Sequence, residues 1–416
     1  MNGDTDVLVI GGGVTGTGIA RDLALRGVDV TLAEREGLSA GASGRSHGLL
    51  HSGARYAESD PDGARECLEE NCILREIAGE CVRETQGLFV QRAEDDPAYF
   101  EEKRAACEEI GIPVEVVDGE TARDAVPGLA DEVERAMWVP DGVVIPSRLV
   151  AANAADARDH GARILPHAPV TSMARDGDRI AAVHLGGDVD ETLAPTYVVN
   201  AAGAHAGKIA EMAGVSVEMR PTRGVMISVV LDGLEPVLNR CRDPADGDII
   251  VPHDDEVVLG TTSVPVGDPD DYDRSEWEIE ETVAECATML PAVADAERVR
   301  TWWGVRPLYE PEEAERGGRG ISRGFHRLDH VDHAADGSER TENLVSVVGG
   351  KLTTYRRMAE ATADLVCDRL GVDADCSTAD SQLPGANSSS ELDAFVREFD
   401  GQGPTDADIV GRNESG

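Results

Sequence analysis

Gly11, Gly13 and Gly16 follow the apolar run Asp6-Val-Leu-Val-Ile10 and precede a segment with helical spacing. Glycines spaced G-x-G-x-x-G at such a junction suit a dinucleotide. Gly11 permits the tight turn, Gly13 lets the backbone approach a pyrophosphate, and Gly16 lets helix and strand pack closely. The helix start adds amides and partial positive charge for the phosphates. Eighteen residues after Gly16, Glu34 closes the next strand. A carboxylate there accepts hydrogen bonds from ribose hydroxyls and repels a 2′-phosphate. The motif alone does not separate a nicotinamide from a flavin dinucleotide. The Gly/Ser-rich run from Gly41 to Tyr56, carrying Ser43, Arg45, Ser46, Gly48, Leu49 and His51, supplies hydroxyls, amides and a guanidinium to a long extended ligand, which favours the flavin. A second glycine turn, Gly349-Gly350-Lys351-Leu352-Thr353-Thr354, stands between a buried-strand pattern and an amphipathic helix. Its amides, that helix dipole and Lys351 would stabilise negative charge at the N1–C2=O edge of a reduced flavin.

These residues need a scaffold, and the apolar periodicity outlines one. A strand over 6–10, a helix over 14–26 and a strand over 28–33 make a βαβ unit, the opening of a doubly wound sheet. A long helix is expected over about 62–85, a helix near 153–160, and strands over 181–199 that end in Asn200-Ala-Ala202-Gly203. From about 217 to 262 the pattern changes to strands, helix returns over 275–290, a buried strand covers 344–348, and a helix over 355–370 is stopped by Gly371. Beyond 384 the chain is polar, and a disordered or weakly docked tail is expected.

The chain has 416 residues, with 80 Asp+Glu against 38 Lys+Arg, a formal net charge of −42 and a pI near 4.4. That balance excludes a phosphate-backbone binder and a polybasic attachment to anionic lipid. Lysine occurs only at 103, 208 and 351, against 35 arginines. Acid in excess with lysine nearly absent is the surface expected in molar salt, where the Debye length is about 3 Å and carboxylates scarcely repel one another. A lysine kept in such a chain is expected to have a specific role. The eight cysteines form no Cys-x-x-Cys pair, and Cys67, Cys72 and Cys81 read as small hydrophobes on a helix, so no metal site is expected. Neither a membrane-spanning run nor a signal peptide is legible, so a cytosolic protein is expected, reaching the inner face of the cell membrane only through partner subunits.

With these motifs in hand, the chain resembles the FAD-dependent glycerol-3-phosphate dehydrogenases, most of all the large flavoprotein subunit of the anaerobic enzyme. The resemblance runs over nearly all of residues 5–384. Its blocks are Gly44-Arg-Ser-His-Gly-Leu-Leu-His-Ser-Gly-Ala-Arg-Tyr56, Pro140-Asp-Gly142, Asn200-Ala-Ala-Gly203, Gly260-Thr-Thr262, Gly304-Val-Arg306-Pro307, Ser322-Arg323-Gly324 and Gly349-Gly-Lys351-Leu-Thr353. It implies an α/β fold in which a Rossmann-like FAD domain, assembled from 1–90, 146–216 and 300–373, carries an inserted β-rich substrate domain of 91–145 and 217–299. Residues 374–416 are expected to form the tail, without the C-terminal cysteine-rich iron–sulfur domain that the family carries. The implied chemistry is oxidation of sn-glycerol 3-phosphate at C2, with electrons passed to a quinone through partner flavin and membrane-anchoring iron–sulfur subunits.

By the same resemblance, Arg55, Tyr56, Arg306 and Arg323 bind the substrate. The guanidinium forks of the three arginines match a phosphate dianion. His51 is the candidate proton acceptor, with a bound water or hydroxide as the alternative, and Arg306 and Lys351 join it in the reaction. Cofactor contacts fall on Gly11, Gly13, Val14, Thr15, Gly16, Glu34 and Arg35 at the first turn, and on Ser43, Arg45, Ser46, Gly48 and Leu49 in the Gly/Ser run. Val170, Ala202 and Gly203 follow, then Gly349, Gly350, Lys351, Leu352 and Thr353 at the second turn. Where the family usually has an aromatic residue, this chain has Ala204-His205, and His205 is not assigned to catalysis. Two rival readings stand: a related FAD enzyme acting on a 2-hydroxy acid or amine, and a flavin-binding but catalytically idle component of an assembly.

Overall fold

The strand Asn2–Ile10 organises a computed structural model that describes residues 2–309, 324–331 and 340–401. Val7, Leu8 and Val9 are fully buried, so both faces of the strand are covered, as a parallel sheet between helices requires. It pairs in parallel with Val30–Ala33 on one side and Glu191–Asn200 on the other; Arg163–Leu165 and Leu344–Gly349 extend the two edges, also in parallel. Phe325–Asp329 adds an antiparallel edge, and the hairpin of Val170–Asp176 and Arg179–Leu185 joins the first part of Glu191–Asn200. Val7 and Val9 face the helices Val14–Leu25, Pro146–Asp159 and Tyr355–Leu370, while Leu8 and Ile10 face Ala206–Met212. This two-residue alternation lets one strand hold two layers. The first helix can sit close to the last because Gly18 carries no side chain: a Cβ there would lie 2.9 Å from the Tyr355 ring.

A second, mixed sheet of nine strands stands against the first unit. Its central strand Thr222–Val230 pairs antiparallel with Glu256–Gly260 and with Arg298–Arg306. Val225, Ile227 and Val229 turn toward the helix Glu276–Ala287, and Gly224 and Met226 turn the other way, onto a cavity between the two sheets. The strands Gly87–Arg92 and Arg298–Arg306 belong to this second sheet, although the bounds drawn from the resemblance put most of each in the FAD segments. Their pairings, Leu88↔Leu238 and Gly224↔Gly304, span 80 or more residues and leave no local signal.

Two further expectations differ from the structure. The helix expected to 85 runs Pro61–Ile77 and stops because Gly79 takes φ 45° against the Ala386 carbonyl; of the three cysteines read as small hydrophobes, Cys67 and Cys81 are buried, but Cys72 lies on the exposed face of the helix. The tail carries a helix, Ser389–Glu398, whose Leu392 and Val396 are fully buried in the first unit's core. Leu38 N–H donates to the Phe399 carbonyl, docking this helix beside the turn that follows Glu34. Among the described residues no helix is long and apolar enough to cross a membrane.

Candidate active site

The first glycine turn closes on itself. Gly11 has φ 116°, and its carbonyl lies 1.9 Å from where a Cβ on Gly16 would stand. Gly13 precedes the helix Val14–Leu25, and the Val14 N–H donates to Ser43 Oγ at 3.0 Å, with Thr15 beside it on the cavity wall. Glu34 Oε2 accepts from Gly12 N–H at 2.6 Å and Oε1 from Glu36 N–H at 3.0 Å. Each oxygen keeps lone-pair capacity for a ribose hydroxyl. Ala202 lies 3.1 Å from a Cβ position on Gly11, which brings Ala202-Gly203 onto the same turn. The Ala168 N–H donates to the Glu34 carbonyl at 2.7 Å and sets Val170 at the start of the neighbouring strand.

Arg35 is exposed, and its guanidinium pairs with Asp270 at 2.9 Å, a carboxylate that also holds His205 and Lys208. Burial alone would raise Asp270; Arg35, Lys208 and His205 reverse this and hold it well below the usual carboxylate range. His205 thus belongs to an ion cluster and is not among the described residues lining the cavity between the two sheets.

The cavity, about 240 Å³, is lined by Val14, Ser43, Arg45, Ser46 and Leu49 from the nucleotide unit and by Gly224, Met226, Thr261 and Gly304 from the second sheet. Gly349, Gly350, Lys351 and Leu352 line it too, so one extended ligand can touch both glycine turns. Gly350 has φ 77°, and a Cβ there would meet Met358 Sδ at 2.3 Å. Leu352 lines the cavity, and no hydrogen bond from its N–H is found among the described residues.

His51, Tyr56 and Lys351 come together. The Tyr56 ring centroid is 5.2 Å from that of His51 and 4.6 Å from Lys351 Nζ, and Lys351 Nζ lies 3.8 Å from Asp60 Oδ2. The His51 N–H donates to Thr353 Oγ1 at 3.0 Å, tying this segment to the second glycine turn. Arg55 Nη2 stands 3.5 Å from Asp248, a carboxylate raised by burial and opposed by Arg55 and Arg242. Arg306, at the end of Arg298–Arg306, donates to Thr261 Oγ1 at 3.2 Å and to the Thr262 carbonyl at 3.0 Å. Thr262 is in turn held by buried Glu278, at 2.8 Å. Arg323 lies outside the described residues.

Sequence reasoning missed Met226, Asp248 and Trp302, whose Nε1–H donates to the Arg45 carbonyl at 3.1 Å. The blocks Gly260-Thr-Thr262 and Gly304-Val-Arg306-Pro307 pointed toward this wall, but only Arg306 was given a role there.

Gly48 has φ 77° and is packed against the Val144 carbonyl and the His253 ring. His253 Nε2 lies 2.9 Å from the His47 carbonyl, and burial pushes its pKa down to about 4. A histidine buried neutral contributes stability in full above its unfolded pKa near 6.5, and loses it as pH falls from there to about 4, a contribution on the order of 3 kcal/mol. Urea midpoints measured at constant KCl should therefore decline below pH 6.5, and His253→Gln should flatten that decline. An unchanged slope in the variant would refute it.

A dinucleotide turn and a lysine-bearing glycine turn on one cavity, faced by a separate sheet, define a flavin-dependent oxidoreductase. The chain belongs to the FAD dependent oxidoreductase family, whose profile matches residues 6–365, and within it to the FAD-dependent glycerol-3-phosphate dehydrogenases; its cofactor is FAD. It is 49% identical over 413 residues to the A1 subunit of the anaerobic glycerol-3-phosphate dehydrogenase of Haloferax volcanii, covering 96% of this chain and 70% of that one. Identity to the corresponding subunit of the Escherichia coli enzyme is 43% over 394 residues, 93% and 71% of the two chains. Among solved structures, the glycerol-3-phosphate dehydrogenase of Bacillus halodurans complexed with FAD superposes with a TM-score of 0.69 at 24% identity, over 95% of this chain and 71% of that one, and shares the fold.

Proposed function

We propose that this chain oxidises sn-glycerol 3-phosphate at C2 to dihydroxyacetone phosphate and passes the electrons to a quinone through partner subunits. The sign of the cavity carries the reading. The chain holds 80 acidic residues, yet no aspartate or glutamate is among the described residues lining the cavity, whereas Arg45, Arg55, Arg306 and Lys351 all are. Such a site selects an anion against the field of the whole molecule.

FAD supplies the hydride acceptor when bound. Gly11, Gly13, Gly16 and Glu34 hold its adenosine diphosphate end, while Lys351 and the Leu352 and Thr353 amides stabilise negative charge at its pyrimidine edge. Arg55 and Arg306 clamp the phosphate of the substrate, with Tyr56 beside them and Arg323 joining them by the motif. His51 takes the C2 hydroxyl proton as the hydride leaves, a task an imidazole performs near neutral pH. The bond from its backbone N–H to Thr353 Oγ1 ties the His51 segment to the second glycine turn.

Anaerobic addition of sn-glycerol 3-phosphate to protein purified in molar KCl should bleach the flavin band. Flavin that ignores this compound but is bleached by a 2-hydroxy acid or an amino acid would replace the substrate assignment. Flavin bleached by none of them would make the chain an idle component of an assembly.

A further inference from the structure

His51, Arg55 and Tyr56 share one short turn, and two buried charges of opposite sign hold it from outside the cavity. Asp141 and Lys103 are each 2% exposed. Asp141 Oδ1 accepts both the N–H and the Oγ–H of Ser52, at 2.8 and 2.7 Å. Lys103 Nζ donates to the carbonyls of Ala54 and Arg55, at 3.1 and 3.4 Å, and to Glu58 Oε2 at 2.6 Å. Between the two grips Gly53 takes φ 96°, where a side chain would stand 2.3 Å from the Ala64 carbonyl.

Neither Asp141 nor Lys103 lines the cavity. We propose that Asp141 and Lys103 are positioning residues, which fix the spacing between His51 and Arg55 and thereby the grip on a phosphate-bearing substrate; the inference rests on the substrate reading above.

Two observations favour positioning over general stability. The one ion pair here, Lys103–Glu58, is buried, and desolvation offsets its attraction, so its net contribution to stability is small. The residue type is also informative, since this chain uses 35 arginines and only three lysines. Three acceptors converging on one point suit the three donors of a compact ammonium, whereas a planar guanidinium fork spreads its donors. Lys208, by contrast, pairs with exposed aspartates, and Lys351 lies in the cavity. Pro140-Asp-Gly142, singled out in the sequence without a role, delivers Asp141, and the Arg75 guanidinium anchors it through the Pro140 and Asp141 carbonyls.

The test is a double-mutant cycle read by anaerobic flavin reduction. Lys103→Met should weaken sn-glycerol 3-phosphate binding about tenfold while FAD content stays as in the wild type. In an Arg55→Ala background the same change should add little, because its effect runs through Arg55. Equal weakening in both backgrounds, or a lowered melting point with unchanged binding, would overturn the proposal. Lys103→Met leaves Glu58 buried without its cation, so Lys103→Met/Glu58→Gln serves as the second variant. Recovery of affinity together with stability in that variant would also overturn the proposal; recovered stability with affinity still lost supports it. Ser52→Ala should slow reduction at saturating substrate more than it weakens binding, since Ser52 adjoins His51. Wild-type flavin that sn-glycerol 3-phosphate does not reduce sinks the substrate reading and this inference together. A reduced wild type with additive variants sinks the positioning role alone.

Discussion

Arg306→Ala is expected to weaken substrate binding about 100-fold while FAD stays bound, as two charge-assisted hydrogen bonds to a dianion are lost. The guanidinium is placed by Thr261 and Thr262 at the end of a strand of the second sheet, whereas the first glycine turn, the expected nucleotide site, follows the strand Asn2–Ile10 of the other sheet. Cofactor and substrate affinities should therefore separate. Arg306→Lys keeps the charge and loses the fork, and should fall between the two. Titrating flavin reduction against substrate concentration, alongside FAD released on ultrafiltration, measures both quantities. Equal loss of FAD and substrate affinity would refute the clamp assignment.

Gly16→Ala is expected to yield protein without flavin and with stability lowered on the order of 3 kcal/mol. Its Cβ would stand 1.9 Å from the Gly11 carbonyl, a backbone atom with no side-chain freedom to yield. Relief requires the helix Val14–Leu25 to lift from the strand, and Ala201 and Tyr355 pack against that arrangement. The same movement takes the Val14 amide from its place beside Ser43. Gly267→Ala, where nothing lies within 4 Å, is the control and should keep both flavin and melting point. Flavin retained in Gly16→Ala at wild-type stoichiometry would refute the assigned role of that glycine.

Local chemistry made most of the nucleotide unit legible. The βαβ opening, the second glycine turn and the helix Tyr355–Leu370 stand where periodicity and glycine spacing put them, because each depends on residues close in sequence. What escaped depends on distant partners. Helix Pro61–Ile77 ends early because Gly79 meets Ala386, some 300 residues on, and Arg298–Arg306 joins the second sheet through Thr222–Val230. The site shows the same division. Arg55, Arg306 and Lys351 were readable from motifs, and all three line the cavity. Asp141 and Asp248 were not, since a buried carboxylate looks like any other acid in a chain with so many. Lys103 was the exception, because the scarcity of lysine was a usable signal and was applied only to Lys351.

A cavity that no carboxylate lines among the described residues, inside a molecule of charge −42, separates encounter from residence. At low ionic strength the net charge repels a doubly negative solute at long range, and the cations in the cleft attract it at short range. Added salt collapses the far repulsion first, whereas contacts at hydrogen-bond distance survive. Salt therefore raises the rate of arrival more than it shortens the stay. An enzyme whose net field draws in its substrate behaves the opposite way and slows as salt is added.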